Sequence, residues 1–144
     1  MNLPDSALIE AIRDSARDFL QRLDQKKRKR LNGPLDRDYW RTIADVGWLG
    51  LTVSEQHGGL DLGWHAMATV MEEVGRAQLP EPLIAAAILP AAVLTHLDDP
   101  QGVQIREQLL HDICTGERIV GLAWQETEGQ LEAGEAAGAF GVSV

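Results

Sequence analysis

Residues 83–97 read LIAAAILPAAVLTHL, a run that is almost wholly apolar. It is too short for a bilayer, which needs about 20 such residues. It must therefore be covered by the rest of its own chain, and the spacing predicts a helix buried on most sides. Pro90 stands inside the run. A proline withholds one backbone N–H and crowds the preceding turn, so the helix is expected to kink or split there. A chain that hides such a segment needs further amphipathic elements around it.

Those elements are readable on both sides. Over residues 6–30, Leu8, Ile12, Ala16, Phe19 and Leu23 recur at steps of three and four and share one helical face. Asp5 or Ser6 can cap that helix, and Asn32-Gly33-Pro34 is expected to end it. Asp36 can cap a second helix with Tyr39, Trp40, Ile43 and Val46 on its buried side. Gly47 suits the left-handed residue that stops a helix. Residues 48–53, WLGLTV, read as an extended connection, and Ser54 to Gly59 as a polar loop. A third helix starts at Gly63, with Trp64, Met67, Ala68, Met71 and Val74 or Gly75 inward and the Glu72-Glu73 pair on the solvated side. Pro82 suits a first helical position. Asp98-Asp99-Pro100 opens a last helix that buries Val103, Leu109, Leu110 and Ile113 and stops at Thr115-Gly116. Ile119 to Trp124 is β-like but has no partner strand in sight. The expected fold class is all-α, about five or six helices, with residues 1–117 as a helical domain and 118–144 as the first strand and incomplete start of something else.

The chain has 144 residues, 44% hydrophobic and 24% charged, and a formal net charge of −9. It is long enough to bury a core. An acidic chain is a poor nucleic-acid binder, and the run Lys26 to Arg30 reads as a solvated helix end. Nothing is long enough for a membrane span. The start MNLPDSALIE lacks the basic and apolar regions of a secretory signal, and Cys114 is alone, so a cytoplasmic setting is expected. Neither a zinc-type spacing nor a phosphate-binding glycine loop occurs. His57, His65, His96 and His111 read as ordinary histidines and Cys114 as a buried thiol. Adjacent glutamates on a helix diverge by about 100°, so Glu72 and Glu73 do not read as an acid–base pair. No catalytic residue and no metal ligand is assigned. Any ligand is expected to be held jointly with another domain.

Three stretches together resemble the acyl-CoA dehydrogenase family. Trp40 to Leu51 followed by Val53-Ser54-Glu55-Gln56-His57-Gly58-Gly59-Leu60 is similar to that family's helix, glycine stop and P-E-x-x-G-G loop, with Ser54 where proline is usual. Val70-Met71-Glu72-Glu73-Val74-Gly75-Arg76-Ala77 resembles its E-E-L-G-R helix. Thr115 to Glu126 resembles the passage into its central β domain. The likeness covers about residues 6–128. It implies an FAD enzyme that removes two hydrogens across the α–β bond of an acyl-CoA thioester. A base takes the weakly acidic α-proton while flavin N5 accepts hydride, and hydrogen bonds hold the enolate-like charge. The family's base lies in a C-terminal domain, so the chain is expected to be an N-terminal part that is inactive alone.

By the same resemblance, Leu122, Trp124 and Gln125 fall where the strand meets the flavin. Gln125 replaces a hydroxyl residue, Thr127 stands where proline is usual, and Glu128-Gly129-Gln130-Leu131 replaces a G-x-G-S-D-like element. Leu83, Ala86 and Ala87 fall on the helix lining the acyl pocket; the small alanines favour a bulky or branched acyl group, and packing against neighbouring helices explains them equally well. The turn Ala77 to Pro82 resembles divergent members that act as mixed-subunit assemblies on steroid-like or unusual acyl groups. A homo- or hetero-oligomer and electron-transfer flavoprotein as electron acceptor are the implied partners. The alternative is a non-catalytic interaction module or degenerate partner subunit of a heteromeric dehydrogenase. An unrelated helical binding domain is the third reading.

Overall fold

The structure, a computed structural model of the chain, describes residues 6–23 and 35–123. Five α-helices account for most of it: α1 (Ser6–Arg22), α2 (Arg37–Asp45), α3 (Gly63–Arg76), α4 (Leu89–Leu94) and α5 (Pro100–Cys114). Among the described residues no strand forms, and the architecture is the expected all-α one. Helix α1 stops at Arg22, short of the expected end; residues 24–34, with the basic run and the Asn32-Gly33-Pro34 turn, lie outside the described residues.

Local chemistry accounts for the helix ends. The Asp36 carboxylate accepts from the N–H groups of Asp38 and Tyr39 at 3.0 and 3.1 Å, which satisfies two free donors of α2. Asp99 does the same for Gln101 and Gly102 at the head of α5. Gly47 and Gly116 take left-handed conformations after α2 and α5.

Residues 48–53 differ from the extended connection the sequence suggests. Trp48–Gly50 makes one 3₁₀ turn, and Trp48, Leu49, Leu51 and Val53 are all buried. The segment coils because its hydrogen bonds are local: Gly50 donates to Gly47 and Val53 to Gly50, while Leu60 and Leu62 return to the carbonyls of Gly50 and Leu51. The backbone of Gly59 lies so close to the Val53 carbonyl that a side chain has no room. That close approach is the physical reason for glycine in this loop.

Two helix faces are also shifted from expectation. Val46 is exposed and Ala44 takes its place in the core. In α3 the inward face is Ala66, Met67, Thr69, Val70, Glu73 and Val74, while Trp64 and Ala68 face outward. Glu73 is not solvated: it is 3% exposed and meets two arginines of α1. Arg17 Nε and Nη2 donate to its two oxygens at 3.0 and 3.1 Å, and Arg13 Nη1 adds a bond at 3.2 Å. Arg13 also reaches Glu72 at 2.6 Å. Apolar periodicity cannot see this, because it scores a carboxylate as an outside residue. A buried carboxylate is tolerated only with paired donors, and here α1 supplies them.

The core gathers α2, the 48–53 segment, the inward face of α3, residues 83–94 and α5 around Trp40, Ile43, Leu49, Leu83, Leu110 and Ile113. Helix α1 lies across α3, and its Phe19 ring meets Trp48 edge to face, 4.8 Å between centroids.

Candidate functional site

The apolar run splits, as its proline requires. Ile84–Ile88 forms a π turn in which the Leu89 N–H donates to the Ile84 carbonyl, and α4 follows with Pro90 in its first turn. Such wide turns are concentrated near functional sites. The chain leaves α5, passes Gly116 and runs back along α4 and α5 as residues 118–123, with no regular secondary structure. Two backbone hydrogen bonds hold this return: Arg118 N–H donates to the Asp112 carbonyl at 3.1 Å and Val120 N–H to the Ala86 carbonyl at 3.3 Å. The β-like run finds no partner strand among the described residues and bonds to a helical turn instead.

A cleft of about 690 Å³ opens between α4, the first half of α5 and this returning segment. Pro90, Val93, Leu97, Ile105, Val120 and Leu122 give it apolar walls. His96, Asp99 and Gln101 supply the polar part of its lining, but much of that chemistry is spent locally. His96 Nδ1 lies 2.8 Å from the Ala92 carbonyl, Asp99 caps α5, and Arg106 Nη1 donates to the Leu97 carbonyl at 3.2 Å. What remains suits an apolar or flat aromatic guest with few polar demands. At Gly121 a side chain would meet nothing within 4 Å, so the backbone there can be approached closely.

The structure brings Leu122 to this cleft. Trp124 and Gln125 lie outside the described residues. Leu83, Ala86 and Ala87 are 2%, 6% and 0% exposed, so their side chains touch the core of this chain. The outward side of the same segment is Ile84, Ala85 and Leu89, with Ile84 56% and Leu89 42% exposed. The spacing predicts a run buried on most sides but does not say which side stays open, so it does not single out these three. The usable signal was the proline: a π turn puts residues five apart, Ile84 and Leu89, on one side.

The remaining titratable groups sit in structural places. His57 is buried in the polar loop, with Nδ1 3.4 Å from Glu107 Oε2 and Nε2 3.1 Å from the Gln56 amide nitrogen. The pair pins this loop to α5. Burial pushes the Cys114 thiol up to about 11, which makes it a poor nucleophile. Burial also pushes the Tyr39 phenol up to about 12, helped by Glu81. Among the described residues no cluster of three or more His, Cys, Asp or Glu side chains could hold a metal ion, and no helix is long and apolar enough to cross a membrane.

Comparison with known proteins agrees with this architecture. A solved steroid ACAD, Tcur3481-Tcur3483, superposes with a TM-score of 0.68 over 83% of this chain and 33% of its own, at 24% identity, which speaks for the fold. The mitochondrial isovaleryl-CoA dehydrogenase of Pongo abelii is 31% identical over 90 residues, 62% of this chain and 21% of that protein. That of Solanum tuberosum is 41% identical over 44 residues, 31% of this chain and 11% of its own. The aligned part of the chain thus spans about a fifth or less of these relatives' length. The family model for the acyl-CoA dehydrogenase N-terminal domain matches residues 6–117, from the first residue of α1 to just past the glycine that ends α5. The chain belongs to the acyl-CoA dehydrogenase family, and what it carries is that family's N-terminal domain.

Proposed function

We propose that the chain works as the N-terminal part of an FAD-dependent acyl-CoA dehydrogenase and supplies one wall of the acyl pocket and of the flavin site. The observation that carries this reading is the hydrogen bond from Val120 to Ala86. It ties the segment with the acyl-side candidates, residues 83–87, to the segment with the flavin-side candidate Leu122. In this reading Ile84, Ala85 and Leu89 face the acyl group, and Leu83, Ala86 and Ala87 back that wall from the core. Leu122, with Trp124 and Gln125 beyond it, lies against FAD. The open side of Gly121 and the apolar cleft fit a flat ring system. Bound FAD would supply the hydride acceptor. The chain's own residues orient the acyl chain and exclude water, and the α-proton base comes from outside it.

The remaining parts of the proposal follow from this. Residues 1–117 are the helical domain and 118–144 begin the central β domain. The 144 residues alone do not turn over acyl-CoA; the complete assembly is an oligomer that passes electrons to electron-transfer flavoprotein and works in the cytoplasm. Titration of the chain into FAD is expected to quench flavin fluorescence saturably, and Leu122→Asp is expected to weaken the quench. Absence of any saturable quench would sink the flavin role and leave the family membership standing. The exposed Trp64, Ile84 and Leu89 also suit a second reading, a non-catalytic subunit docked on a complete dehydrogenase. That reading requires a flavin-free chain that binds and alters the activity of such an enzyme.

A further inference from the structure

In an α-helix the carbonyl of Ala86 would accept from the N–H four residues on. Four residues on is Pro90, which has none, and whose ring would press on that carbonyl. The π turn at Ile84–Ile88 relieves the crowding by widening the helix. It does not give the carbonyl its α-helical donor. Val120 does, at 3.3 Å, from a segment that is distant in sequence. Both residues are buried, so water is a poor substitute on either side.

We infer that Pro90 is a positioning residue: by withholding its own N–H it keeps the Ala86 carbonyl open as the anchor for Val120, and so sets where Gly121 and Leu122 lie on the cleft wall. A residue with an N–H at this position would close the helical bond and compete for the same oxygen. Val120 would then lose a buried acceptor, and the segment beyond the Arg118 N–H bond to the Asp112 carbonyl would be free to shift. Gly121 and Leu122 follow Val120 directly, so a slip there moves the wall that the proposed flavin role uses. The inference about anchoring stands on the backbone geometry; its consequence for FAD rests on that proposed role.

The test separates the missing donor from the rigid ring. Amide exchange of Val120 is measured by NMR in the chain, in Pro90→Ala, and in a chain with lactic acid at position 90, whose ester linkage has neither ring nor N–H. Val120 is expected to be protected in the first and to exchange about tenfold or more faster in Pro90→Ala, with the Leu110 amide in α5 little changed. The ester chain is expected to keep the original protection. An unprotected Val120 in the unaltered chain overturns the inference. So does equal protection in Pro90→Ala, and so does fast exchange in the ester chain, which would assign the effect to the ring. Where Pro90→Ala fails to fold, Pro90→Ser supplies the N–H in its place and is read against the same ester chain. FAD titration of the same variants is a separate readout. An unchanged quench beside altered exchange would end the flavin role of the segment while the anchor stood.

Discussion

Gly116 closes α5 at a φ of 72°, and a side chain there would come within 2.9 Å of Ala44 Cβ and 3.4 Å of the Trp40 ring. Conformation and space both exclude an ordinary residue. Gly116→Ala is expected to cost about 1–3 kcal/mol in chemical denaturation. Gln78 is its counterpart. It stands after α3 at a φ of 53°, where its N–H bonds the Gly75 carbonyl and the Leu79 N–H bonds the Val74 carbonyl. This is the left-handed helix stop that glycine serves best, built with a glutamine. Gln78→Gly is expected to stabilise by about 0.5–1 kcal/mol in the same assay, and a loss would show that the side chain is needed. Gly47 and Gly116 were legible as stops because the residue type announces the conformation. Gln78 was not, since nothing in its chemistry demands a positive φ.

The pairing of α1 with α3 is polar where most helix pairs are apolar. The hydrogen bonds from Arg17, then Arg13, hold the Glu73 carboxyl below the usual carboxylate range, and Arg13 does the same for Glu72. A carboxyl lowered in the folded state stabilises above its unfolded value, here 4.5, and that contribution fades as pH falls through the folded value. Thermal melts of the chain and of Glu73→Gln are therefore expected to differ most near neutral pH, with the variant melting lower. The gap should shrink as pH falls below 4.5 and close once it has passed the lowered folded value. A gap that persisted at low pH would assign the loss to packing. Helices α2 and α5 were legible because their caps and apolar steps lie within one element. The inward turn of Glu73 was not, because its partners stand 56 and 60 residues away in the sequence. The candidate site divides in the same way. Pro90 announced the split of the apolar run, but which side of it faces outward was not read from that split, because Val120, the donor to the Ala86 carbonyl, is distant in sequence.

At the scale of the described molecule, two of the exposed apolar side chains share one stretch of the surface. Ile84 and Leu89 lie on the outer side of the segment next to the cleft. Left bare, such a surface promotes association. Light scattering is expected to show a mass that climbs with concentration, and Ile84→Glu with Leu89→Asp is expected to hold the chain at monomer mass. A sharp monomer at high concentration in the unaltered chain would mean that the rest of the surface already suppresses contact. The long pairing of α1 with α3 also has a consequence in time. At roughly 5–20 residues per second, the 56 residues between Arg17 and Glu73 take about 3–11 s to synthesise. During that interval the first helix has left the ribosome's decoding centre, but the carboxylates it clasps do not yet exist. The docking of α1 on α3 therefore waits for α3 to be made, and until then the acidic partners at hand for Arg13 and Arg17 are Glu10 and Asp14 of their own segment.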